Sequence, residues 1–196
     1  IVGFDPFTVG VLQALLFAGV AAVIFLLGLQ IGSTRGVGVP VNETDGVAIG
    51  LIAAIGWIFF VPAQVFSVVL MPTVWQILAY WAVILWLCQP GPHSSWRPWL
   101  IIGAVTGLVA TFVATILFVV PLALVSILRT VGLDDSGLRR HLRKILAVIV
   151  LALGVLVGAS PAWIHNYLIA KEPVALSAHS GINLWIGNNP VANGYP

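Results

Sequence analysis

Hydrophobic residues run along this chain in long unbroken blocks, and the few polar positions between them divide it. Residues 6–34, 46–96, 98–128 and 145–170 contain no Asp, Glu, Lys or Arg. About 20 apolar residues in a helix suffice to cross the hydrocarbon of a bilayer, so each block predicts one or more membrane-spanning helices. Residues 7–32 predict a first span that ends near Arg35, and residues 36–46, with Pro40, Asn42, Glu43 and Asp45, predict an exposed loop. Residues 47–70 predict a second span, kinked at Pro62 because proline removes one helical hydrogen bond. Met71-Pro72 makes a turn, and residues 73–88, carrying Trp75, Trp81 and Trp86, predict a third span. Pro90, Pro92 and Pro98 with Ser94, Ser95 and Arg97 then break the chain.

Residues 99–128 are too long for one upright span and short for two, and charge decides between the readings. A single crossing would put the basic residues of 129–144 on the opposite face from Arg35 and Arg97, against the tendency of Lys and Arg to stay in the cytoplasm. A hairpin of two short helices, broken between Gly107 and Pro121, returns all three basic connectors to one side. Residues 129–144 are expected to form a cytoplasmic loop near anionic headgroups, and residues 145–163 the last span, with Trp163 at the interface. The fold expected is all-α, a polytopic transmembrane helical bundle of about four full spans plus a short helical hairpin. Its membrane domain covers 1–163, and 164–196 begins an extracytoplasmic loop. Asn42-Glu43-Thr44 matches a glycosylation sequon but falls on the cytoplasmic side and carries no weight.

Composition agrees. Hydrophobic residues make up 60% of the chain and charged ones 7%, with a mean hydropathy of +1.11. Soluble domains hold roughly 45–50% apolar and about 25% charged residues. The net charge of +2 reports topology, since every cation except Lys171 lies in the three connectors, and no nucleic-acid partner is expected. Cys88, the single cysteine, has no internal disulfide partner and reads as a small hydrophobe. His93, His141, His165 and His179 are scattered over both sides, so no metal site is expected. The spans hold no charge of the kind that marks ion pathways, while Gln13, Gln30, Gln64 and Gln76 suit bridges between helices. Beginning without Met and ending in a turn-rich stretch, the chain is expected to be a piece of a longer protein.

Candidate chemistry gathers at the C-terminal end. Asn166, Asn183, Asn188, Asn189 and Asn193 offer amide donors and acceptors for sugar hydroxyls or phosphate oxygens, and Tyr167, Trp185 and Tyr195 offer faces for stacking. Asn188-Asn189-Pro190 is equally a good turn sequence. Both readings stand at this level.

The run Pro161-Ala162-Trp163-Ile164-His165-Asn166-Tyr167, followed by Gly181-Ile182-Asn183-Leu184-Trp185-Ile186-Gly187-Asn188-Asn189-Pro190 and Gly194, resembles a motif of bacterial GT-C membrane glycosyltransferases. The family is that of the dolichyl-phosphate-mannose-protein mannosyltransferases, glycosyltransferase family 39. Residues 12–16 resemble its second membrane helix, and residues 103–107 the start of its short helical hairpin. The resemblance implies transfer of a sugar from a polyprenyl-phosphate donor to a protein or lipid acceptor, outside the cytoplasmic (inner) membrane, with no further cofactor. It implies substrate-binding roles for His165, Asn166, Tyr167, Asn183, Trp185, Asn188 and Asn189.

The family's catalytic acid lies in a loop before the first span seen here. This piece alone is therefore expected to be inactive, Asp5 being the remaining acid near that position and reading first as a helix-start residue. Met71-Pro72 stands where relatives often have Ser-Glu, Val113-Ala114 where they have Arg-Pro, and His165 where Arg is usual. A histidine holds a phosphate only when protonated, and more weakly than the arginine fork. The alternative expectation is a non-catalytic membrane carrier or assembly subunit for lipid-linked sugars.

Overall fold

The computed structural model describes residues 5–33, 43–69, 72–89 and 95–171, and among these every regular element is helical. In chain order they are α1 (Pro6–Ser33), α2 (Glu43–Ile58), α3 (Val61–Val68), α4 (Thr73–Leu87), α5 (Arg97–Ala110), a 3₁₀ turn (Ala114–Phe118), α6 (Val119–Thr130) and α7 (Gly137–His165). A π-helical turn (Asn166–Ala170) extends α7.

Two helical stretches, Pro6–Gly32 and Gly137–Ile169, are long and apolar enough to cross a membrane. The expectation of about four full spans is met only that far. α2, α4, α5 and α6 have 16, 15, 14 and 12 residues, below the ~20 that cross a full hydrocarbon layer. Hydrophobic residues are widely exposed along the chain, among them Leu15, Ile52, Ile101, Phe118 and Val157, as suits a surface that meets an apolar medium.

One of the breaks has a proline as its cause. Residues 47–68 are two helices because Pro62 has no N–H for the Ile58 carbonyl, which the Gln64 side-chain amide supplies instead at 2.5 Å. Residues 97–130 likewise divide, at 111–113 and the 3₁₀ turn, inside the interval expected from Gly107 to Pro121.

Three boundaries differ from the sequence reading. α2 begins at Glu43, inside the expected loop 36–46. Residues 137–144, read as loop because of their charge, form the first two turns of α7, which leaves residues 131–136 as the connector. Arg139, Arg140, Arg143 and Lys144 fit a helix because Leu138, Leu142 and Ile145 alternate with them at helical spacing. The connector is turned by Gly132, whose φ of +69° suits glycine, after the Val131 amide has bonded to the Ile127 carbonyl. At the far end, helix continues seven residues past Trp163 before Lys171, at φ +57°, ends it.

The chain forms two compact units. One comprises residues 1–94 and 118–144, the other residues 95–117 and 145–196. In the first, α1 packs against α2, α3 and α4, and α4 against α6. Its closest seam joins Gly28 and Gly32 of α1 to Gly46 and Gly50 of α2, where backbone lies on backbone and an added Cβ at Gly28 would fall on the Gly50 Cα. The Trp57 indole seals that seam, donating to the Phe17 carbonyl at 3.3 Å with the two rings 5.2 Å apart. Gln30 bridges α1 to the end of α4 through the Cys88 carbonyl at 2.7 Å, the role expected of it, and Gln13 is buried in α1. The second unit repeats the device: Gly103 and Gly107 of α5 meet Gly154 and Gly158 of α7, with the Val155 carbonyl where a Gly107 Cβ would stand. Trp99 is fully buried beside this seam's first turn.

Candidate functional site

The described part of the candidate site is the C-terminal end of α7. Pro161 lies inside that helix and leaves the Val157 carbonyl without its helical donor; the Ser160 hydroxyl takes the place, donating to it at 2.8 Å. Five residues further on, the α-helical ladder gives way to the π turn Asn166–Ala170. Such turns loosen the helix and put side chains where a regular α-helix would not.

His165 is the last residue of α7, and Asn166 and Tyr167 open the π turn. His165 is exposed, Tyr167 is 68% exposed and Asn166 is half-buried. Being consecutive on a helix, they fan around its axis and share a helix end without converging on one point. Trp163 is half-buried one turn earlier, and Lys171 adds a cation directly after the turn. Asn183, Trp185, Asn188 and Asn189, together with Asn193 and Tyr195, lie outside the described residues, as do Arg35, Met71, His93 and His179.

Asp5 has a different occupation. Its carboxylate accepts the Phe7 amide at 3.1 Å, the Thr8 amide at 3.3 Å and the Thr8 hydroxyl at 2.6 Å. The Thr8 hydroxyl, and after it the Phe7 amide, hold its pKa below the ordinary 3.8. A carboxylate held ionised by a helix cap is a weak proton acceptor, the opposite of the raised pKa that a general base near neutral pH uses. Among the described residues no group of three or more His, Cys, Asp or Glu could hold a metal ion. The positions that depart from the family pattern at Val113-Ala114 sit where α5 gives way to the 3₁₀ turn.

Sequence reasoning missed the pairing of Ser160 with Pro161 and of Gln64 with Pro62. Each could have been found by asking which side chain replaces the N–H that a helical proline lacks. Comparison of the chain with protein-family models, with curated proteins and with solved structures gives no match.

Proposed function

We propose that the chain is part of a multi-pass GT-C membrane glycosyltransferase of the cytoplasmic membrane, which moves a sugar from a polyprenyl-phosphate donor to a protein or lipid acceptor. The observation that carries this reading is residues 161–190, where the family's asparagine-and-aromatic motif begins on the last turns of α7. In this reading the basic connectors face the cytoplasm and the end of α7 delivers its side chains to the outer face. The Asn166 amide and the Tyr167 ring then meet sugar hydroxyls and faces, joined by Asn183, Trp185, Asn188 and Asn189. His165 stands toward the donor phosphate.

The test uses the parent protein with the sequence preceding Ile1. Replacing both Asn188 and Asn189 by Ala should lower sugar transfer at least tenfold, the scale set by losing one or more hydrogen bonds to a bound polar ligand, with expression unchanged. Undiminished turnover would reduce that segment to a structural turn. The carrier or assembly-subunit reading draws on one observation, that Asp5 is committed to capping α1. It takes over if the parent binds lipid-linked sugar and transfers none.

A further inference from the structure

Within the first unit, α4 and α6 leave between them an open cleft of about 280 Å³. Its walls are aliphatic: Ile84 and Leu87 on α4, Leu122 and Val125 on α6. Polar groups occur at one end only, on the last turns of α6, where Ser126, Arg129 and Thr130 close the cleft and Cys88 borders it. Leu122, Val125, Ser126 and Arg129 recur at helical spacing, so one face of α6 changes from hydrocarbon to hydroxyl to cation within two turns. The polarity is that of an amphiphile laid along the helix.

The charge at that end is unspent. Lys144 is taken up by the Leu128 carbonyl, to which its ammonium donates at 2.6 Å, and Asp135 is taken up by Arg143 at 3.0 Å. Arg129 has no carboxylate partner among the described residues, and neither do Arg139 and Arg140. Arg140 packs against Gly132, its Nε buried without an acceptor. The Ser126 hydroxyl, buried in the cleft wall one turn from Arg129, also has no hydrogen-bond partner among the described residues. An excess of guanidinium with an idle hydroxyl beside it calls for phosphate oxygens, which guanidinium binds in paired hydrogen bonds.

We propose that this cleft is a binding site for an anionic glycerophospholipid, with one acyl chain along α4 and α6 and the phosphate at Arg129 and Ser126. The occupant is a bilayer phospholipid because that amphiphile surrounds these helices at high concentration, so even a weak site is filled by mass action. Free phosphate would leave the aliphatic walls wet. The inference rests on the membrane insertion proposed above and is independent of sugar transfer.

Cys88, the chain's single thiol, borders the cleft and reports on it. Protein in nanodiscs of phosphatidylcholine, with or without phosphatidylglycerol, is treated with a maleimide and the rate of Cys88 modification is followed. Phosphatidylglycerol is expected to slow modification about tenfold, the scale of one charge-assisted contact. Arg129→Gln should abolish that difference, Val125→Trp should slow modification in both lipids by filling the cleft, and Arg139→Gln should leave the difference in place. Equal rates in the two lipids, or an undiminished difference in Arg129→Gln, would overturn the proposal. So would protection by inorganic phosphate alone, or protection by a polyprenyl phosphate and not by phosphatidylglycerol. Protein that alkaline carbonate strips from membranes refutes the insertion on which both proposals stand; protein that stays membrane-bound without a lipid preference refutes this one alone.

Discussion

Pro62 and Pro161 each orphan one carbonyl, and a side chain nearby in sequence takes over the missing donor. Gln64 reaches the Ile58 oxygen and Ser160 the Val157 oxygen. In an apolar surrounding an unmet carbonyl is costly, so Ser160→Ala or Gln64→Leu should destabilise the fold by about 0.5–1.5 kcal/mol each, measured by reversible unfolding in lipid–detergent micelles. Asp5 gives a pH dependence. Its folded pKa is lowered, so its cap on α1 is at full strength above the unfolded value and is lost as pH falls through the folded one. An NMR titration of the Asp5 carboxyl should show a midpoint below 3.8 that rises toward that value in Thr8→Val. At this scale the sequence was half legible. Pro62 announced the break and Asp5-Pro6 the helix start, but the donors that repair the prolines became evident only when the helical register was known.

At the scale of elements, the long apolar blocks foretold the helices well, and charge misled at their edges. Residues 137–144 looked like loop because four cations crowd there, yet cations at a helix end cost little when the apolar residues between them keep helical spacing. The short-range rule of small residues four apart was also present in the sequence, at Gly28 and Gly32, Gly46 and Gly50, Gly103 and Gly107, Gly154 and Gly158. What it could not say is which pair meets which. Substituting Gly107 or Gly154 by Val should cost at least about 1–3 kcal/mol, as overpacking does, because backbone atoms occupy the space. Gly56→Ala, where nothing lies within 4 Å, should be neutral or stabilising. Parallel thermal unfolding of the three variants makes the comparison.

At the scale of the whole molecule, orientation decides which chemistry is possible. With Cys88 replaced by Ser, the variant Asn188→Cys should react with an impermeant maleimide from outside intact cells. On the proposed topology, replacing Arg139, Arg140, Arg143 and Lys144 together with Gln should lower the fraction so oriented, because Lys and Arg favour the cytoplasmic face. The all-helical class was legible from charge spacing alone. Of the binding residues that the motif implies, only His165, Asn166 and Tyr167 lie among the described residues, and there the structure adds a helix disturbed at Pro161 and again at Asn166.

The glycine seams carry an evolutionary corollary. Where main chain rests directly on main chain, no neighbouring substitution can make room for a new side chain, so drift at these eight positions has no compensating partner. Descendants of this chain that diverge freely over their exposed apolar surfaces should therefore keep these glycines, and aligning such descendants would reveal which helices lie backbone to backbone before any coordinates were known.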